Sequence, residues 1–76
     1  MPHVIVKLHS GRSREQKTKL AEAITHAVMS ALGSAEASVS VGIEDVAPAD
    51  WTERVYKPDI VGKTETIYKQ PGYHPQ

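Results

Sequence analysis

Apolar and polar residues alternate from Pro2 to Leu8: Val4, Val6 and Leu8 fall on one side, and His3, Ile5, Lys7 and His9 on the other. That period of two predicts a half-buried β-strand. A second alternation sets Val39, Val41 and Ile43 against Ser38, Ser40, Gly42 and Glu44, and predicts a second strand. Between them the period lengthens. Leu20, Ala23, Ile24, Ala27, Val28, Ala31 and Leu32 recur every three or four residues and form the apolar stripe of a helix of about 18 residues. Its start is marked by Ser13-Arg14-Glu15-Gln16, a capping-box pattern with Ser13 as N-cap and Gln16 reaching back, while Gly11 supplies the preceding turn. Gly33 suits the position after the last helical turn. A strand, a crossover helix and a strand make a right-handed β-α-β unit with parallel strands.

Beyond Val46 the pattern is less regular. Pro48-Ala49-Asp50-Trp51 reads as a short helical turn. Pro58 suits the first turn of another helix, with Ile60, Val61, Thr64, Ile67 and Tyr68 as its stripe and Pro71-Gly72 as its end. Gln70 to Gln76 reads as a turn and an extended arm lying over a neighbouring chain. The expected fold class is α+β: one small domain over residues 1–76 built on the β-α-β unit. Two strands are too few to stand alone, and their open edges invite a second copy. The expectation is a homodimer that joins two units into a four-stranded sheet with helices on one face. A hexamer is the alternative. It is disfavoured because His3, Lys7, Ser38, Ser40 and Glu44 on the face away from the helix suit a dry central interface poorly.

Composition narrows the functional classes. The 76 residues contain no cysteine, so disulfides do not supplement the small core. The four histidines, His3, His9, His26 and His74, share no ligand spacing, and no metal site is expected. Nine basic and nine acidic residues cancel without forming a run, so neither nucleic acid nor an anionic membrane is an expected partner. Lys7 and His9 interrupt the first apolar stretch, which rules against a secretory h-region, and a cytoplasmic location is the default expectation.

One residue carries chemistry by its position. Removal of Met1 would leave Pro2 as a secondary amine at the head of a strand, able to take up and return a proton if its pKa falls toward neutrality. Burial and a nearby cation such as Arg12 both push in that direction.

Pro2 on a strand, the Gly11-Arg12-Ser13 turn followed by Glu15-Gln16-Lys17, the long helix and the Ser38-Val39-Ser40-Val41 strand together resemble the 4-oxalocrotonate tautomerase family. Trp51 after the second strand and the Lys69-Gln70-Pro71-Gly72-Tyr73 ending are similar to its dimeric PptA-type branch. The resemblance implies a cofactor-independent isomerase that interconverts keto and enol forms of a small 2-oxo acid. It further implies Pro2 as acid and base, Arg12 as a substrate-contacting cation and Trp51 as a pocket aromatic. Ser40 stands where founding members carry a second arginine. Without that cation a dicarboxylate would leave one charge unpartnered, so the implied substrate is an arylpyruvate-like monocarboxylate stacked on Trp51.

Two alternatives stand beside this reading. One is a Pro2-dependent hydratase or dehalogenase of an unsaturated acid, with Asp50 or Glu53 activating water. The other is a non-catalytic oligomeric binding module if Met1 is retained, since the Pro2 nitrogen would then be an amide. Arg14 and Lys17 are expected on a solvated helix face.

Overall fold

The computed structural model describes residues 1–74. Strand β1 (His3–His9) leads through a turn into helix α1 (Arg14–Leu32), and a single 3₁₀ turn (Glu36–Ser38) delivers the chain to strand β2 (Ser40–Val46). The strands are parallel and pair without offset from His3↔Ser40 to His9↔Val46. The β-α-β unit is thus present as the two hydrophobic periods require.

The local signals act as expected at α1. Ser13 Oγ accepts from the Gln16 backbone N–H at 3.1 Å, and the Gln16 side chain accepts from the Ser13 backbone N–H at 2.9 Å. These two bonds satisfy donors that a helix start otherwise leaves open. At the far end Gly33 sits at φ 69, a left-handed conformation that any Cβ disfavours, and donates its N–H to Met29 O at 2.9 Å.

The buried stripe of α1 is rotated from the expected one. Lys17, Leu20, Ala21, Ile24, Thr25, Val28 and Met29 are half-buried, whereas Ala23, Ala27, Ala31 and Leu32 are exposed. Small alanines satisfy the apolar period without needing cover. The β-branched and larger side chains take the sheet-facing positions instead. Lys17 is likewise not a freely solvated residue: its Nζ lies 2.6 Å from Asp45 Oδ2 and ties α1 to β2. Ser38 belongs to the 3₁₀ turn rather than to the strand.

After β2 come a 3₁₀ turn (Pro48–Asp50), a π-helical segment (Thr52–Val61) and a second 3₁₀ turn (Thr64–Thr66). The helix expected to begin at Pro58 therefore begins earlier, and Pro58 lies inside it. In the wider π spiral each N–H bonds five residues back, and the missing N–H of Pro58 leaves one rung open without ending the segment. The segment stops at Gly62, whose N–H donates to Lys57 O at 2.8 Å. A Cβ there would stand 2.7 Å from Pro58 O, so only glycine fits.

This segment reaches the sheet face opposite α1. Lys7 Nζ lies 2.6 Å from Asp59 Oδ2, and Ile5, Lys7, Val55 and Ile60 line one surface cleft. The tail returns to its own chain: Tyr73 packs on Trp51 and Tyr56 rather than extending away. The last part of the expected arm, Pro75 and Gln76, lies outside the described residues.

Burial is sparse. Val46 and Val55 are the only buried apolar side chains among the described residues. The accessible surface is 5818 Å², against roughly 4,600 Å² for a compact monomer of 8.3 kDa. The radius of gyration is 13.8 Å, against about 11.4 Å for a compact chain of this length. One chain leaves much apolar surface uncovered, including Ile5, Leu32, Val61 and Tyr68.

Candidate active site

Pro2 sits at the entry to the sheet. Its carbonyl accepts from Ser40 N–H at 3.2 Å, which fastens the residue to the start of β2. Met1, in contrast, is fully exposed, so its removal would take nothing from the core. Beside Pro2, His3 and Ser40 face each other across the first rung, and His3 Nδ1 lies 2.6 Å from Ser40 Oγ. This pair was not visible in the sequence, because it depends on the register between strands 37 residues apart.

The other candidates lie at the opposite end of β1, about 20 Å away at roughly 3.3 Å per residue. Ser10 N–H donates to Val46 O at 3.0 Å and closes the ladder there. Two residues on, the exposed Arg12 lines a cleft of about 270 Å³ with Leu8, Gln16, Lys17 and Leu20, on the α1 face of the sheet. Trp51 takes the other face. Its ring meets His9 edge to face at 4.8 Å between centroids, and with His9, Pro48, Thr52 and Tyr73 it lines a cleft of about 360 Å³.

Within one chain, then, Pro2 and Ser40 are neighbours, while Arg12 and Trp51 are remote from them. The expectation that Arg12 depresses the Pro2 basicity does not hold inside a single subunit, where the length of β1 separates the two. Of the carboxylates weighed for water activation, Glu53 Oε1 is engaged by Lys57 Nζ at 2.6 Å. Asp50 is exposed in the turn before Trp51. Among the described residues no three of His, Cys, Asp and Glu cluster as a metal site. No helix there is long and apolar enough to cross a membrane.

On the sheet face opposite α1, Lys7 pairs with Asp59 at 2.6 Å. The hydrogen bond from Lys7 holds the Asp59 carboxyl below its ordinary 3.8, and the same bond holds the Lys7 ammonium above its ordinary 10.5. It ties the π-helical segment, and with it the floor beneath Trp51, to β1.

Comparison with known proteins agrees with this geometry. The model of the tautomerase enzyme family matches residues 2–54. A probable tautomerase of Xylella fastidiosa is 45% identical over 73 residues, covering 96% of this chain and 89% of that protein. Tautomerase PptA of Cronobacter sakazakii is 35% identical over 74 residues, covering 96% and 97%. Among solved structures, TomN, a 4-oxalocrotonate tautomerase homologue in the tomaymycin biosynthetic pathway, superposes with a TM-score of 0.64 at 36% identity over 66% of this chain and 77% of that one. YwhB, another homologue of 4-oxalocrotonate tautomerase, gives 0.59 at 41% identity over 60% and 75%. A β-α-β unit headed by Pro2, with a family match running from that residue through both strands, makes this chain a member of the 4-oxalocrotonate tautomerase family and an enzyme of the isomerase class.

Proposed function

We propose that the chain is a cofactor-independent tautomerase that interconverts the keto and enol forms of a 2-oxo acid, an arylpyruvate-like monocarboxylate, with Pro2 as acid and base after Met1 is removed. The observation that carries this reading is the anchoring of Pro2. Its carbonyl is pinned to β2 while its nitrogen leads only to an exposed Met1. Once freed, the amine takes the proton of the enol hydroxyl and returns one to the neighbouring carbon, so that no atom or electron is gained or lost.

The separation of Arg12 and Trp51 from Pro2 supports a site completed by a second copy. A homodimer in which the two sheets join antiparallel brings the Pro2 end of one chain toward the far end of β1 in the other. Arg12 of the partner subunit, exposed in the turn beyond β1, then reaches over the end of the strand to clamp the substrate carboxylate, and Trp51 of the partner subunit walls the ring from the other face. Trp51 shares a sheet face with His3 and Ser40, so a continuous four-stranded sheet keeps these groups on one side. The excess surface of the single chain, roughly 1,200 Å², is of the size a stable interface removes from each partner.

The test is ketonisation of the enol of phenylpyruvate by two preparations whose intact masses establish loss or retention of Met1. The processed chain is expected to be active and the Met1-bearing chain nearly inert. Equal activity in both would overturn Pro2 as the base.

A further inference from the structure

The cleft at Trp51 has a feature beyond an apolar wall. Trp51 Nε1–H donates to Tyr73 Oη at 2.8 Å, so the phenol accepts there, and no protein acceptor among the described residues takes its own proton. A phenol is both donor and acceptor, and one half of that capacity is left open. Tyr73 lines the same cleft as Trp51, with His9, Pro48 and Thr52, and is 42% exposed to solvent, so its hydroxyl is open to a ligand.

The phenol is also held in place. The Tyr73 ring packs on Tyr56 at 5.8 Å between centroids with an interplanar angle of 44°. Tyr56 belongs to the π-helical segment beside the buried Val55, and its hydroxyl meets His74 Nδ1 at 3.5 Å. One contact from Tyr73 and one from its neighbour His74 therefore hold this part of the tail on a packed element. Both tyrosines lie beyond residues 2–54, the part matched by the family model.

We infer that Tyr73 is a specificity-determining residue: its hydroxyl donates a hydrogen bond to an acceptor on the ring of an aromatic monocarboxylate held against Trp51. The Trp51 bond orients the phenol so that its free proton is directed away from the indole and is available to the cleft. A ring bearing a hydroxyl at the end remote from its carboxylate satisfies that donor, whereas an unsubstituted ring leaves it to water. This deepens the proposed function and rests on it for the class of substrate, but binding in the cleft does not require turnover.

The probes are cinnamate and 4-hydroxycinnamate, planar aromatic monocarboxylates differing by one hydroxyl. Their Kd values are measured by calorimetry on the full chain and on Tyr73→Phe. The intact chain is expected to bind 4-hydroxycinnamate about tenfold more tightly, the value of one well-placed hydrogen bond. Tyr73→Phe keeps the wall and the contact with Tyr56, so the cinnamate Kd should stay within about twofold while the preference disappears. The indole N–H resonance of Trp51, the one tryptophan, verifies that the variant folds and that both probes reach the cleft. No preference in the intact chain, or a preference that survives in Tyr73→Phe, overturns the inference. So does failure to bind either probe. A chain that shows the preference without ketonising an enol would refute the tautomerase mechanism and leave Tyr73 standing; an active chain without it would do the reverse.

Discussion

His3 Nδ1 and Ser40 Oγ, 2.6 Å apart, join two strands at the rung that also holds the Pro2 carbonyl. In the tautomer whose Nδ1 carries the ring proton, the imidazole donates to Ser40 Oγ and the serine's own proton is left for a substrate oxygen next to the amine. Ser40→Ala should lower kcat/KM for enol ketonisation about tenfold, equivalent to about 1.4 kcal/mol. Ser40→Thr, which keeps the hydroxyl, should retain most of the activity, and His3→Ala should fall between them. The pair is exposed, so thermal unfolding of all three should stay near that of the parent. Unchanged kinetics in Ser40→Ala would reduce the residue to an ordinary strand serine.

Complementation tests the proposed sharing of the site between two chains. A Met1-bearing chain and an Arg12→Ala chain should each be weakly active, the latter by about 2 to 4 kcal/mol in kcat/KM if the guanidinium holds a desolvated carboxylate. Dissociated and reassociated together, half of the dimers become mixed, and each mixed dimer carries one intact site; about a quarter of the parent activity should return. No recovery would mean that Pro2 and Arg12 act within one chain, against the distance between them.

What the sequence made legible, and what it hid, follows from the range of each interaction. The capping box at Ser13 and Gln16 and the alternation of β1 are local, and they appear in the structure as written. The rotation of the α1 stripe was hidden because alanine satisfies an apolar period without showing which side is covered. The π-helical segment is not legible in the sequence because Pro58 usually opens a helix, whereas here it lies inside one that packs through the buried Val55. Pairs such as Lys17–Asp45, His3–Ser40 and Trp51–Tyr73 depend on register and fold-back, for which no short motif exists.

Acid should loosen the π-helical segment through Asp59. Its folded carboxyl titrates below the unfolded one, so the Lys7 pair stabilises the fold above the ordinary 3.8, and that stability is lost as pH falls toward the lowered folded value. The Lys7 ammonium is raised, so its share is present below the ordinary 10.5 and lost as pH rises through the higher folded value. Asp59→Asn should therefore melt at a lower temperature than the parent near neutrality, with the gap closing in strong acid. A gap independent of pH would mean that the pair is not responsible.

Gly62→Ala should destabilise the chain by about 1 to 3 kcal/mol, because the added methyl meets the Pro58 carbonyl at 2.7 Å and that of Lys57 at 3.0 Å, both backbone. Thermal unfolding at fixed concentration measures it. An unchanged midpoint would show that the end of the π-helical segment yields without penalty.

The length of β1 has an evolutionary consequence. Residues more than about 7 to 10 Å apart with no shared partner respond to substitution independently. The amine end, with Ser40, and the aromatic end, with Trp51 and Tyr73, lie farther apart than that in each chain. For folding, then, a substitution at one end leaves the other undisturbed, and a lineage built on this unit can vary the aromatic end without loosening the strand rung that holds Pro2; only a site assembled from two chains would couple them.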